Sequence, residues 1–189
     1  AFDTGYMSHS SDASSCREIP VDISDIIEYG RGSVLDLPNA STALKAIENS
    51  INTVRSSSMG RLFDGVSALL GIKTYNDYVG QGASMLEDAA AFALKHPGAS
   101  RQCDLALSFH NRITDMIVEQ CIAARSEYGA NQVALTGGTF QNKVLMESTL
   151  AKLRSSGFTP YYNISVSPND GGLALGQAYI ATHREKTQL

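Results

Sequence analysis

The sequence holds no tryptophan, three cysteines and five prolines in 189 residues, and it has no excess of positive charge. Each shortage excludes something. Cys16, Cys103 and Cys121 are widely spaced and form no C-x-x-C pair, which fits free thiols in a reducing compartment better than a disulfide frame or a zinc site. A net charge of −4 and a pI near 5.5 argue against a nucleic-acid surface built on bulk charge, so no nucleic-acid partner is expected. No apolar run reaches membrane-spanning length, and no basic segment leads into an apolar one at the N-terminus. A cytoplasmic protein without membrane contact is the expectation. The four histidines (His9, His96, His110 and His183) lie far apart, so the chain has no His-x-x-x-His pair and no self-sufficient histidine metal site.

What is present is concentrated in the last third. Val133-Ala134-Leu135-Thr136-Gly137-Gly138-Thr139-Phe140-Gln141-Asn142 is an apolar strand pattern that stops at a Gly-rich turn and enters a helical pattern. Ser167-Pro168-Asn169-Asp170-Gly171-Gly172 repeats the arrangement. Two successive strand–turn–helix units make a mouth lined by backbone N–H groups and helix N-termini, which suits phosphates. The pattern reads as one wall of a nucleotide site.

Residues 1–18 are polar and aperiodic and read as an irregular arm or linker; with 43% hydrophobic residues, 19–189 can bury one ordinary core. The chain opens on Ala1 with no initiator methionine and is expected to be a piece of a larger protein. Ile19 to Ile27 alternate weakly, with Pro20 against a strand. A helix is expected from Asn39 or Ser41 through Val54, on the spacing of Leu44, Ile47, Ile51 and Val54. Another carries Leu62, Phe63, Val66, Leu69 and Leu70 and stops at Gly71. The Val79–Gly82 turn leads to a third, which ends before His96-Pro97-Gly98. A long helix from Arg101 to Tyr128 is apolar over more than half its circumference and should be largely buried. Strand 132–136, helix 142–155, strand 159–166 and helix 173–185 follow. A parallel strand pair joined by a helical crossover is the natural reading, in an α/β fold with helices in excess.

Several side chains can carry chemistry. Gly137 and Gly138 let the backbone turn sharply and approach a ligand, or they merely serve the geometry of a plain strand–helix turn. Asn142, at the start of the next helix, can hydrogen-bond a ribose or phosphate. Asp170 can cap the helix that begins near Leu173 or ligate a metal that bridges phosphates. Asp64 lies on an apolar helix face; it can bind ribose hydroxyls, though a surface ion pair with Arg61 is the default. His110 is expected to be a satisfied core residue.

Six stretches in order give a resemblance: Ser57-Ser58-Met59-Gly60-Arg61-Leu62-Phe63-Asp64, Ala68-Leu69-Leu70-Gly71, Gly80-Gln81-Gly82-Ala83, Phe109-His110-Asn111, Gly137–Asn142, and Pro168-Asn169-Asp170-Gly171-Gly172-Leu173-Ala174-Leu175-Gly176-Gln177-Ala178. Together, over residues 56–182, they resemble the C-terminal part of the HypF carbamoyltransferases, which mature [NiFe] hydrogenases. The resemblance implies the second lobe of an actin/Hsp70/sugar-kinase-like domain. It implies transfer of a carbamoyl group from carbamoyl-adenylate, made from carbamoyl phosphate and ATP by a YrdC-like domain, to the C-terminal cysteine of HypE.

By the same resemblance Asp64, Gly80, Gly137, Gly138 and Asn142 hold the nucleotide. Asp170, with Asn169 as the alternative, ligates a divalent metal, Mg or Fe. The family's His-x-x-x-His ligands belong to the first lobe, so the isolated chain is expected to be inactive. The partners implied are that missing first lobe, the YrdC-like domain and HypE, with self-association through the uncovered face of the lobe. The alternatives are a tRNA threonylcarbamoyl transferase or O-carbamoyltransferase lobe, a sugar or acetate kinase of the same architecture, and a non-catalytic docking module.

Overall fold

Ile26 and Gly30 lie one helical turn apart and set the first packing contact of the fold. Both belong to α1 (Ile23–Leu35), and both are buried. A Cβ on Gly30 would fall 2.2 Å from the Leu69 carbonyl oxygen, so only glycine permits this approach to the next helix but one. The structure is a computed structural model and describes residues 23–54 and 56–183. The weak alternation of Ile19–Ile27 therefore resolves into a helix from Ile23 onward, with 19–22 and the arm at 1–18 outside the described residues. Ile23, Ile26, Ile27 and Gly30 follow helical spacing, which outweighs the alternation.

The second helix is shorter than its apolar spacing implies. α2 is Ala40–Glu48, and Ile51 and Val54 fall beyond it, both exposed. Asn49 terminates the helix by donating its side-chain amide to the Lys45 carbonyl at 2.7 Å. Ser50 and Asn52 then take positive φ values of 54° and 51°. The Asn49 bond and the two left-handed residues after it outweigh two apolar positions that stay exposed.

α3 (Met59–Leu69), α4 (Gln81–Lys95) and α5 (Arg101–Tyr128) follow the sequence expectation closely. α5 starts where Ser100 caps the Cys103 N–H and ends at Gly129, with φ 69°. Gln102 fixes the end of α3 by donating to the Leu70 carbonyl at 2.6 Å. Burial along α5 runs from Leu105 to Val118, whereas Met116 and Ile122 are exposed, so its last turns are less covered than the apolar count suggests.

β1 (Gln132–Leu135), α6 (Lys143–Ser155) and β2 (Thr159–Tyr162) complete a parallel pair with Gln132 opposite Thr159 and Leu135 opposite Tyr162. β2 ends four residues before the expected boundary, because the chain breaks into bends from Asn163 toward Asn169. α7 (Leu173–His183) is the last described helix.

The core has two centres that α5 and α6 join. One gathers Ile26, Phe63, Leu70, Leu86, Phe109, Ile113 and Leu145 between the helices. The other packs Val118, Leu135, Leu150, Leu153 and Phe158 against the strands. Arg125 clamps the far end, with its guanidinium 4.1 Å from the Phe158 ring centre and donating to the Ser156 carbonyl at 2.9 Å. No described helix is long and apolar enough to cross a membrane.

Candidate functional site

Parallel strands leave a crevice beyond their C-terminal ends, where two outgoing turns part. Here the two turns are tied together. Gly137 takes φ 102° and ψ 157°, a conformation essentially reserved for glycine, and donates its N–H to the Pro168 carbonyl at 2.8 Å. The chain then makes a tight 3-10 turn over Gly138–Gln141 before α6 begins. The second turn closes on itself: Asn169 accepts from the Ser167 hydroxyl at 2.8 Å and from the Gly171 N–H at 2.9 Å. A Cβ on Gly172 would lie 2.4 Å from the Ser167 carbonyl oxygen, so this loop also depends on a glycine.

The result is an open cleft of about 400 Å³, lined in part by Gly137, Gly138, Asn169, Asp170, Gly172 and the start of α7. That volume is in the range of small-molecule sites. Asp170 is exposed at its edge, and its carboxylate makes no hydrogen bond or ion pair with the described residues. The side chain that caps the second turn is that of Asn169, which leaves the Asp170 carboxylate available to a ligand. Among the described residues no three His, Cys, Asp or Glu side chains gather into a metal cluster. Asp170 therefore fits a metal only as one donor in a set completed by phosphate oxygens or another lobe, an arrangement natural to Mg²⁺.

Asn142 is not among the residues that line the cleft. It is buried; its Oδ1 accepts from the Leu145 N–H at 2.9 Å, and its Nδ2 meets His110 Nε2 at 2.8 Å. His110 Nδ1 sits 2.8 Å from the Ala106 carbonyl, which can only accept. The ring is therefore the neutral tautomer protonated on Nδ1, and Nε2 accepts from Asn142. Burial lowers the His110 pKa to about 4, with the Ala106 carbonyl opposing the shift. The Phe63 and Phe109 rings pack edge-on against it. His110 is the satisfied core histidine that its helix position implied.

Asp64 and Gly80 do not line this cleft and belong to a second group of residues. Asp64 Oδ1 accepts from Asn76 Nδ2 at 3.1 Å, and Asn76 Oδ1 accepts from the Gly82 N–H at 2.9 Å. Arg61 lies 3.7 Å from the other Asp64 oxygen, the expected ion pair, but its side chain is 70% exposed. Solvent screening makes that pair weak. Gly80 supplies the left-handed entry to α4, at φ 83°. Asn76 and Glu87, whose carboxylate accepts from the Lys143 N–H at 2.7 Å, have no signature in the sequence pattern. Both act through contacts with distant residues, so no local spacing reveals them.

A family model described as carbamoyltransferase, Kae1-like domain, second subdomain, matches residues 24–104 and 95–177. Carbamoyltransferase HypF of Synechocystis sp. is 30% identical in an alignment 148 positions long, which covers 64% of this chain and 19% of that protein. The carbamoyltransferase HypF homolog of Cupriavidus necator is 30% identical in an alignment 197 positions long, which covers 86% of this chain and 50% of that protein. The crystal structure of full-length HypF in the phosphate- and nucleotide-bound form superposes with a TM-score of 0.69 at 31% identity, covering 84% of this chain and 25% of that one. The chain thus spans between 19% and 50% of the length of these two curated relatives.

Proposed function

This chain belongs to the carbamoyltransferase family, as the second subdomain of its Kae1-like domain, and from that premise we propose that it forms one wall of the nucleotide cleft of a HypF-type carbamoyltransferase. The observation that carries this reading is the hydrogen bond from Gly137 to Pro168, which brings both glycine-bearing turns to one cleft at the strand ends. In this proposal Gly137 and Gly138 take the phosphate side of ATP or carbamoyl-adenylate. Asp64 and Gly80 serve the nucleoside, and Asn142 holds the end of the turn by capping α6. Asp170, with Asn169 beside it, would contribute a metal ligand. A bound Mg²⁺ or Fe²⁺ would neutralise phosphate charge there.

The reaction proposed for the whole protein is transfer of a carbamoyl group from carbamoyl-adenylate to the C-terminal cysteine of HypE. This chain alone is expected to be inactive, since the resemblance assigns the histidine ligands to a first lobe. The apolar side chains Leu173, Leu175, Tyr179 and Ile180 of α7 are all about 60% exposed, which supports a reading in which another lobe or a second copy covers that helix.

Asp170→Asn tests the assignment. Calorimetric titration should show binding of ATP with Mg²⁺ weakened about tenfold, or ~1.4 kcal/mol, and binding of ATP in EDTA changed less than about twofold. Equal effects with and without metal would remove Asp170 from the metal site.

A further inference from the structure

Two side chains cap the first turn of α6, one its own N-cap and one from α4. Asn142, held by His110 of α5, takes the Leu145 N–H. Glu87 of α4 takes the Lys143 N–H at 2.7 Å, across 56 residues of sequence. A helix N-terminus ordinarily attracts a ligand anion, but here the protein's own carboxylate occupies it. The turn that precedes α6 is therefore tied at both ends, by Pro168 at Gly137 and by Glu87 at Lys143.

The position of Glu87 on α4 adds a second consequence. The same helix carries Gly82 near its start, bound through Asn76 to Asp64. Glu87 follows Gly82 by about 7–8 Å along the helix axis, at ~1.5 Å per residue. One rigid helix thus connects the Asp64 group to the turn at the cleft.

We infer that Glu87 is a positioning residue: its carboxylate pins the N-terminus of α6 to α4 and so fixes the Gly138–Gln141 turn relative to the Asp64–Asn76–Gly82 group. The inference rests on the cleft being the nucleotide site proposed above. Burial pushes the Glu87 carboxyl pKa up, while the Lys143 and Val144 N–H groups oppose that shift. Those backbone donors are the compensation for keeping the carboxylate half-buried.

Three variants of the 189-residue chain test it. Glu87→Ala should weaken ATP–Mg²⁺ binding at least about tenfold. Glu87→Gln, which keeps an oxygen acceptor, should stay within about threefold of the parent. Arg125→Ala removes the clamp at the far end of α5; it should lower stability without moving affinity beyond about threefold. Amide hydrogen exchange is read in parallel. In Glu87→Ala, exchange over 138–145 should rise at least about tenfold relative to the other helices, and Arg125→Ala should not produce that local pattern. If the parent chain binds no nucleotide, the cleft assignment fails and the exchange data alone decide the positioning role. Uniform exchange in Glu87→Ala would overturn the inference.

Discussion

Asn142→Ala is expected to destabilise the protein by about 2–4 kcal/mol, through two separable losses. The Leu145 N–H loses its cap, and substitution of a capping side chain by alanine costs about 0.5–2 kcal/mol. His110 Nε2, in a ring that is fully buried, loses its donor, and an unsatisfied buried acceptor costs about 1–3 kcal/mol. In a domain of this size the sum lowers the melting temperature by roughly 5–15 °C. Asn142→Asp separates the two. It keeps the cap but places an acceptor opposite His110 Nε2, which favours the protonated ring. Thermal unfolding of both variants by circular dichroism checks the account. An Asn142→Ala protein within about 0.5 kcal/mol of the parent would mean the pair contributes nothing.

The same pair should make stability fall with acid. His110 has its pKa lowered from 6.5 to about 4 because burial disfavours the imidazolium. Between those values the unfolded chain binds a proton that the folded chain refuses, so the unfolding free energy rises with pH in this window. Stability is fully present above pH 6.5 and is lost as pH falls toward 4. At ~1.4 kcal/mol per pH unit at full slope, the loss between pH 7.5 and 5 is about 2 kcal/mol, and it grows to roughly 3 near pH 4. Urea denaturation across this range measures it. His110→Gln should flatten the profile by about that amount, which isolates this ring from the other histidines. A parent profile that is flat between pH 7.5 and 5 would show that the ring is not held neutral.

Much of the α/β frame was legible because its signals are strong and local. The extent of α5 was marked by its long run of apolar positions, and the strand pair by two apolar runs that end in turns. α2 ran short of its apolar pattern because Asn49 bonds the Lys45 carbonyl and Ser50 and Asn52 turn to positive φ, while Ile51 and Val54 stay exposed. The N-terminal alternation misled because a short window of isoleucines satisfies both periods until the neighbouring helix is known.

At the candidate site, the sequence marked Gly137, Gly138 and Asp170, and the structure gathers them with Asn169 around one cleft. It could not show that Asn142 turns inward to His110, or that Glu87 closes the helix end, since both depend on packing between α4, α5 and α6. Sequence spacing places residues along the chain. It does not reveal which atoms are already engaged.

The central claim is that the two tied turns form a preformed nucleotide wall. Backbone amide chemical shifts during titration with ATP and Mg²⁺ test it most directly. The account predicts one saturable set of shifts at Gly138, Thr139, Asp170 and Gly172, with smaller changes around Gly80 and Gly82. Saturation confined to residues away from both turns, or no shift at either turn up to millimolar nucleotide, would contradict it.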